Sequence, residues 1–298
     1  MYQEIKKIKA IFNEGGNVME YFRNVNESSE NSLEAIKISY DLQAGSYIKF
    51  FLENKEYNAL YTQAIASVIE SLGEVNSICE VGVGEATTFA NMITKLKHRP
   101  EHNLGFDISW SRIGYGRKFA NSVGLTNAQL FTGNLFQIPL ADNSVDVVYT
   151  SHSIEPNGGK EEDALRELCR VASRYVVLLE PAFELANEES QKRMTHHGYV
   201  KGLKKTIENI GYKVIEYRLF EHISNPLNPT GLIVVEIQPN NAPATPIFCC
   251  PVTGANLEKK NDCYYAAESF LAYPIVGGIP CLLAENSILA SHFNSLIV

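Results

Sequence analysis

The sequence predicts an α/β protein: a seven-stranded, mainly parallel sheet with helices on both faces, an N-terminal helical cap and a small C-terminal α+β appendage. Three observations carry this. From Ser77 onward, short apolar runs alternate with stretches of helical periodicity, the pattern of strands joined by helical crossovers. The first run, SICEV, leads into a turn with two close glycines, Gly82 and Gly84. A polar, proline-rich tract, QPNNAPATP from Gln238 to Pro246, then separates a turn-rich tail from the rest. The reading divides the chain into a cap at 1–73, a sheet domain at 74–238, and a linker with appendage at 239–298.

The cap is helical. Its clearest stripe is Tyr57, Leu60, Tyr61, Ala64, Ile65, Val68, Ile69 and Leu72, spaced three and one apart and stopped by Gly73. In SYDLQAGSYI, Tyr40, Gln43 and Tyr47 fall on one helical face, while Ala44 and Gly45 permit close approach, which suits a lid over a ligand. Strands are predicted at 77–81, 103–107, 128–131, 145–149, 175–179, 213–217 and 232–236. Helices are predicted at 87–96, 111–122, 161–172 and 199–209.

Composition narrows the partners. Of 298 residues 45% are hydrophobic, enough for a sizeable core, and the net charge of −8 comes with no Lys/Arg-rich run. A lasting grip on nucleic acid needs several cations facing phosphates, so the expected partner is a small molecule, with a homodimer possible. No run approaches the ~18 apolar residues of a membrane span, and the N-terminal stretch has no apolar signal core. A soluble, cytoplasmic protein whose six cysteines are thiols is the expectation.

The glycine turn discriminates between nucleotides. A dinucleotide fingerprint needs a third glycine, but Thr87 stands at that position. The arrangement Glu80-x-Gly82-x-Gly84-x-Ala86 resembles the first motif of class I S-adenosylmethionine-dependent methyltransferases, and the stretch from Gly133 to Glu155 resembles that of the ubiquinone/menaquinone methyltransferases. LRELCRVASRYVVLLEP, from Leu165 to Pro181, resembles the helix and fifth strand of the same family. The resemblance spans residues 77–236 and implies a Rossmann-like fold. It implies Glu80 near the cationic methionine end of the cofactor, Asp107 on the ribose hydroxyls with Ile108 beside it, Asn134 and Leu135 at the adenine, and Ser151 closing the methionine side. Three positions depart from it: Ala86, Asn134 in place of an acid, and Pro156 in place of a frequent histidine. Asn134 would have to present its amide oxygen to meet the adenine amino group.

Methyl transfer is an in-line displacement, so a base is needed only for a weakly acidic or protonated acceptor. The candidates are His152 and Glu155, with Glu180 nearby at the end of a strand. His197, with His196 beside it, falls in the loop before a helix beginning at Tyr199, where the family often builds its acceptor pocket.

The segment from Cys250 to Leu283, ending YPIVGGIPCLL, resembles the small zinc-ribbon-like activators of tRNA and protein methyltransferases, with Thr253 where a second cysteine is usual. Structural zinc normally takes four ligands, so a metal-free appendage is expected, with Leu257, Tyr265, Phe270, Tyr273, Ile275 and Ile279 as its core. Its expected role is to cover an apolar surface or support a dimer. The function implied is methyl transfer from S-adenosylmethionine, releasing S-adenosylhomocysteine, to oxygen or nitrogen of a small metabolite such as a sugar. RNA or protein methylation, and a non-catalytic cofactor-binding module, are the alternatives.

Overall fold

The computed structural model describes residues 4–28, 30–223 and 225–296. Five helices come first: α1 (Ile5–Asn13), α2 (Val18–Val25), α3 (Leu33–Leu42), α4 (Ser46–Glu53) and α5 (Lys55–Ser71). Asn17 caps α2 by accepting from the Glu20 N–H at 3.1 Å, and Ser32 caps α3 through Ala35 N–H at 3.1 Å. Helices α1 to α3 bury Ile8, Val18, Phe22, Ala35 and Ile38 against one another.

The sheet follows: β1 (Ser77–Val81), α6 (Thr87–Lys95), β2 (His102–Asp107), α7 (Trp110–Ser122), β3 (Ala128–Thr132), β4 (Val145–Ser151), α8 (Glu161–Val171), β5 (Ala172–Pro181), α9 (Glu188–His196), α10 (Leu203–Asn209), β6 (Lys213–Leu219) and β7 (Thr230–Glu236). Its order is β3-β2-β1-β4-β5-β7-β6. Strands β1 to β5 run parallel, and β7 is antiparallel to both of its neighbours. Every residue of β1 is buried, as a strand covered on both faces requires. Strand alternation sorts the core into two layers. Val147, Tyr149, Val177 and Leu179 meet Ile65 and Ile69 of α5 and Phe89 and Ile93 of α6. On the other face Val148, Val176 and Leu178 meet Leu165 and Leu168 of α8 and Leu203 and Ile207 of α10. Strand order reverses between β1 and β4, which opens a crevice at their carboxyl ends.

The appendage is an antiparallel sheet of β8 (Glu258–Lys260), β9 (Cys263–Ala266), β10 (Leu271–Val276), β11 (Ile279–Pro280) and β12 (Ile288–Leu289), the last paired with β10. It caps the exposed edge of the main sheet. Cys281 pairs with Thr132 of β3, the Leu282 N–H donates to the Thr132 carbonyl at 3.1 Å, and the Cys249 N–H donates to Pro139 at 3.1 Å. Cys250, Leu257, Tyr273 and Leu282 belong to the same buried cluster as the main sheet. Among the described residues no helix is long and apolar enough to cross a membrane.

Several expectations are corrected. Leu60 is 50% exposed, so it lies off the buried stripe, where Asn58, Thr62 and Ala66 are buried instead. Residues 40–47 are not one helix. Helix α3 ends at Leu42, and Gly45 takes φ +100°, a left-handed conformation suited to glycine, before α4 turns away. Gln43 therefore does not share a helical face with Tyr40 and Tyr47. Tyr199 precedes α10 by four residues, and His196 closes α9 while His197 is its C-cap. Helix α9 had no apolar stripe to announce it, since Ser190 and Met194 alone are buried. In the appendage Phe270 is 46% exposed at φ +59° and Ile275 is half-buried, so neither is core.

Candidate active site

The crevice holds a cavity of about 880 Å³, open mouth included, floored by the turn after β1 and by the ends of β2 and β4. Gly82, at φ +72°, lets the turn pass the β4 loop; a Cβ there would lie 2.2 Å from Ser153 Cβ. The Gly84 N–H donates to Asp107 Oδ2 at 3.0 Å, and Ser109 N–H donates to Oδ1 at 2.8 Å. Asp107 is thereby fixed with one lone pair spare on each oxygen. Burial pushes its carboxyl pKa up, and the Arg112 charge counters that rise.

Glu80 lies at the end of β1, 2% exposed, and accepts the Tyr149 hydroxyl at 2.5 Å. Burial lifts its pKa to about 8; the Tyr149 bond opposes the rise and the neighbouring Asp107 charge adds to it. Asn134 accepts the Phe136 N–H on Oδ1 at 3.0 Å. One lone pair of the expected oxygen is thus taken, and the amide NH2 has no hydrogen-bond partner among the described residues.

On the β4 side Ser151 Oγ bonds the Tyr61 hydroxyl at 2.9 Å. His152 takes φ +55°, which brings its ring beside the crevice. Its Nδ1 lies 2.7 Å from Glu155 Oε2 and its Nε2 lies 2.7 Å from Thr230 Oγ1. Burial works against the charged imidazolium, but the bonded Glu155 carboxylate outweighs it, so the His152 pKa is raised. For Glu155 burial pushes the other way from His152, and the histidine wins, leaving its pKa lowered. Glu155 also receives Asn228 Nδ2 at 3.1 Å and the Tyr199 hydroxyl. It stands behind His152 rather than in the cavity wall. Glu180 accepts the N–H groups of Ser153, Ile154 and Glu155 and so shapes this loop.

Among the other predicted residues, Tyr40, Tyr47, Ile108 and Leu135 line the cavity, whereas Gln43, His196, His197 and Tyr199 do not. His197 stacks on Tyr199, ring centroids 5.4 Å apart, one layer outside. Burial and the Arg193 charge lower its pKa. Among the lining residues that escaped the sequence reading are Glu85 and Arg112. Glu85 accepts the N–H groups of Gly45, Tyr47 and Ile48, fastening the start of α4 over the turn. Arg112 lies beneath Tyr40 and Tyr47. Among the described residues no group of three or more His, Cys, Asp or Glu is placed to hold a metal ion.

A family described as "Methyltransferase domain" matches residues 78–174, which run from β1 into β5 and hold the glycine turn, Asp107, Asn134 and His152. Residues 78–174 are a methyltransferase domain. No curated protein matches the sequence. Among solved structures, a magnesium protoporphyrin IX methyltransferase from Synechocystis PCC 6803 with bound SAH aligns at 13% identity and TM-score 0.48, covering 60% of this chain and 83% of that one. A putative sarcosine dimethylglycine methyltransferase from Galdieria sulphuraria aligns at 15% identity and TM-score 0.47, covering 59% and 85%. A geranyl diphosphate C-methyltransferase from Streptomyces coelicolor aligns at 10% identity and TM-score 0.45, covering 58% and 80%. In this methyltransferase domain the cavity sits at the sheet's point of strand reversal.

Proposed function

We propose that the chain binds S-adenosylmethionine in this cavity and methylates an oxygen or nitrogen of a small-molecule acceptor, releasing S-adenosylhomocysteine. The observation that carries the reading is the charge of the cavity wall. Glu80 and Asp107 stand at the ends of adjacent strands, and Arg112 is the one lysine or arginine among the described lining residues. A pyrophosphate would face the Asp107 carboxylate there, whereas a ribose diol would meet its oxygens and an ammonium would draw Glu80 into its charged form. Ser153 Oγ is buried without a hydrogen-bond partner among the described residues beside this wall, a polar group that a ligand would satisfy.

When bound, the cofactor supplies an electrophilic methyl on a sulfonium. This chain then has to hold the acceptor in line and take a proton from it. The Glu155 carboxylate accepts from His152 Nδ1–H, which leaves the Nε2 lone pair as the proton acceptor, held meanwhile by the Thr230 hydroxyl. His152 is therefore the general base in this reading, Glu155 its positioning residue, and His197 has no direct part. Leu33, Ile36, Tyr40 and Phe136 give the wall an apolar and aromatic side, which suits a flat or apolar acceptor bearing a hydroxyl or amine better than a bare sugar. The appendage supports the adenine side. Phe248 packs on Phe131 at 5.1 Å, Phe131 stacks on Phe106 at 5.5 Å, and Phe106 lines the cavity. The test is transfer of labelled methyl from S-adenosylmethionine to a panel of phenols, amines and sugars, run with His152→Ala beside the wild type. Transfer to phenols or amines that the variant loses supports the reading; equal transfer by both removes His152 as base.

A further inference from the structure

Arg112 is a permanent charge with 4% of its surface exposed and an unfinished set of partners. It occupies the first turn of α7, where the helix dipole disfavours a cation. Its Nε donates to the Tyr40 carbonyl at 3.0 Å, and its guanidinium carbon lies 4.4 Å from the ring centroids of both Tyr40 and Tyr47. Nη1 lies 3.4 Å from where a Cβ on Gly84 would stand. Nη2 is buried and has no hydrogen-bond partner among the described residues. A buried, unpaired guanidinium N–H is costly to keep, and this one belongs to a residue lining the cavity beside Gly84 and Asp107.

We infer that Arg112 binds the α-carboxylate of S-adenosylmethionine through this free Nη2 donor. The inference rests on the cofactor reading above and adds to it a partner for the group that the carboxylates of the site would repel. Asp107 suits the ribose hydroxyls and Glu80 suits the ammonium, which leaves the carboxylate as the anionic end in need of a cation. Among the described residues no lysine and no second arginine lines the cavity. The same contact ties ligand to lid. Tyr40 and Tyr47 rest on Arg112; Asp41, between them, accepts from Ser109 Oγ at 2.6 Å and from Ser111 Oγ at 3.1 Å; and Glu85 holds the start of α4. A carboxylate on Nη2 completes the partners of the residue on which the lid is seated.

The test is calorimetric titration of the full chain with S-adenosylmethionine and with decarboxylated S-adenosylmethionine, which keeps the sulfonium and the amine. Wild type, Arg112→Lys and Arg112→Met are compared, with thermal melting to show that each variant is folded. Wild type is expected to prefer the carboxylate-bearing ligand by about tenfold to a hundredfold, the scale of charge-assisted hydrogen bonds. Arg112→Met should lose that preference while binding the decarboxylated ligand within about threefold of wild type, and Arg112→Lys should fall between, since it keeps the charge without the planar fork. Equal loss of both ligands would make Arg112 a lid support and overturn the inference. So would a wild type that binds both ligands equally, with the cofactor reading left standing. A wild type that binds neither overturns both.

Discussion

Glu80→Gln isolates the charge at the heart of the site. In the free protein burial raises the Glu80 pKa from an ordinary 4.5 to about 8. The folded state thus holds this proton more tightly than the unfolded chain does. Folding stability is predicted to fall as pH rises from about 4.5 to about 8, and the whole penalty is felt above that. A difference of this size corresponds to roughly 3–5 kcal/mol at pH 9, each pKa unit being about 1.4 kcal/mol. Gln keeps an oxygen for the Tyr149 hydroxyl and cannot ionise, so the variant escapes the penalty. Its melting temperature, matched to wild type at pH 5 as the reference, should exceed it at pH 9 by about 5–10 °C at roughly 2 °C per kcal/mol. The same substitution should weaken S-adenosylmethionine binding at neutral pH, because the ammonium loses its carboxylate. Wild-type affinity should itself rise with pH toward 8, with a proton released on binding that calorimetry in buffers of different ionisation enthalpy would detect. Melting curves of variant and wild type that run parallel from pH 5 to 9 would refute the argument that Glu80 is held neutral by burial.

Asp107→Ala should weaken cofactor binding by about 1–3 kcal/mol through lost hydrogen bonds to the carboxylate, and unchanged affinity by calorimetry would remove its assignment to the ribose. His152→Ala should lower turnover by about 10²–10⁴-fold while leaving the cofactor Kd within about threefold. Because a base must be neutral and the His152 pKa is raised, wild-type kcat/KM should climb with pH through a value above 6.5, and Glu155→Gln should move that limb to lower pH. A limb that stays in place would detach Glu155 from the histidine. Phe248→Ala removes the ring between Phe131 and Tyr264 and should cost about 2–4 kcal/mol in chemical unfolding; a loss under about 0.5 kcal/mol would show the appendage to be weakly attached.

The sheet was legible because its strands are buried on both faces and therefore read as unbroken apolar runs: SICEV, VDVVYTS and TGLIVVE stand out from polar surroundings. The cavity floor was legible for a related reason, since a turn of Gly82 and Gly84 after such a strand fixes where the crevice opens and brings Glu80 and Asp107 to it. The lid was less so. A helical reading of residues 40–47 ignores that one glycine at φ +100° can end one helix and start another, and the fastening carboxylates, Glu85 and Asp41, act across 37 or more residues of sequence. Helix α9 carries too few apolar residues to show a stripe, and with it went the setting of His196, His197 and Tyr199. Arg112 did leave a signal: DISWSR puts an arginine in the first turn of a helix, against the dipole, five residues after Asp107.

The central claim is that the crevice between β1 and β4 holds S-adenosylmethionine. Parallel calorimetric titrations with S-adenosylmethionine, S-adenosylhomocysteine and NAD test it most directly. The account predicts saturable binding of the first two, with roughly micromolar Kd, and none of NAD. Binding of NAD, or of none of the three, would contradict it.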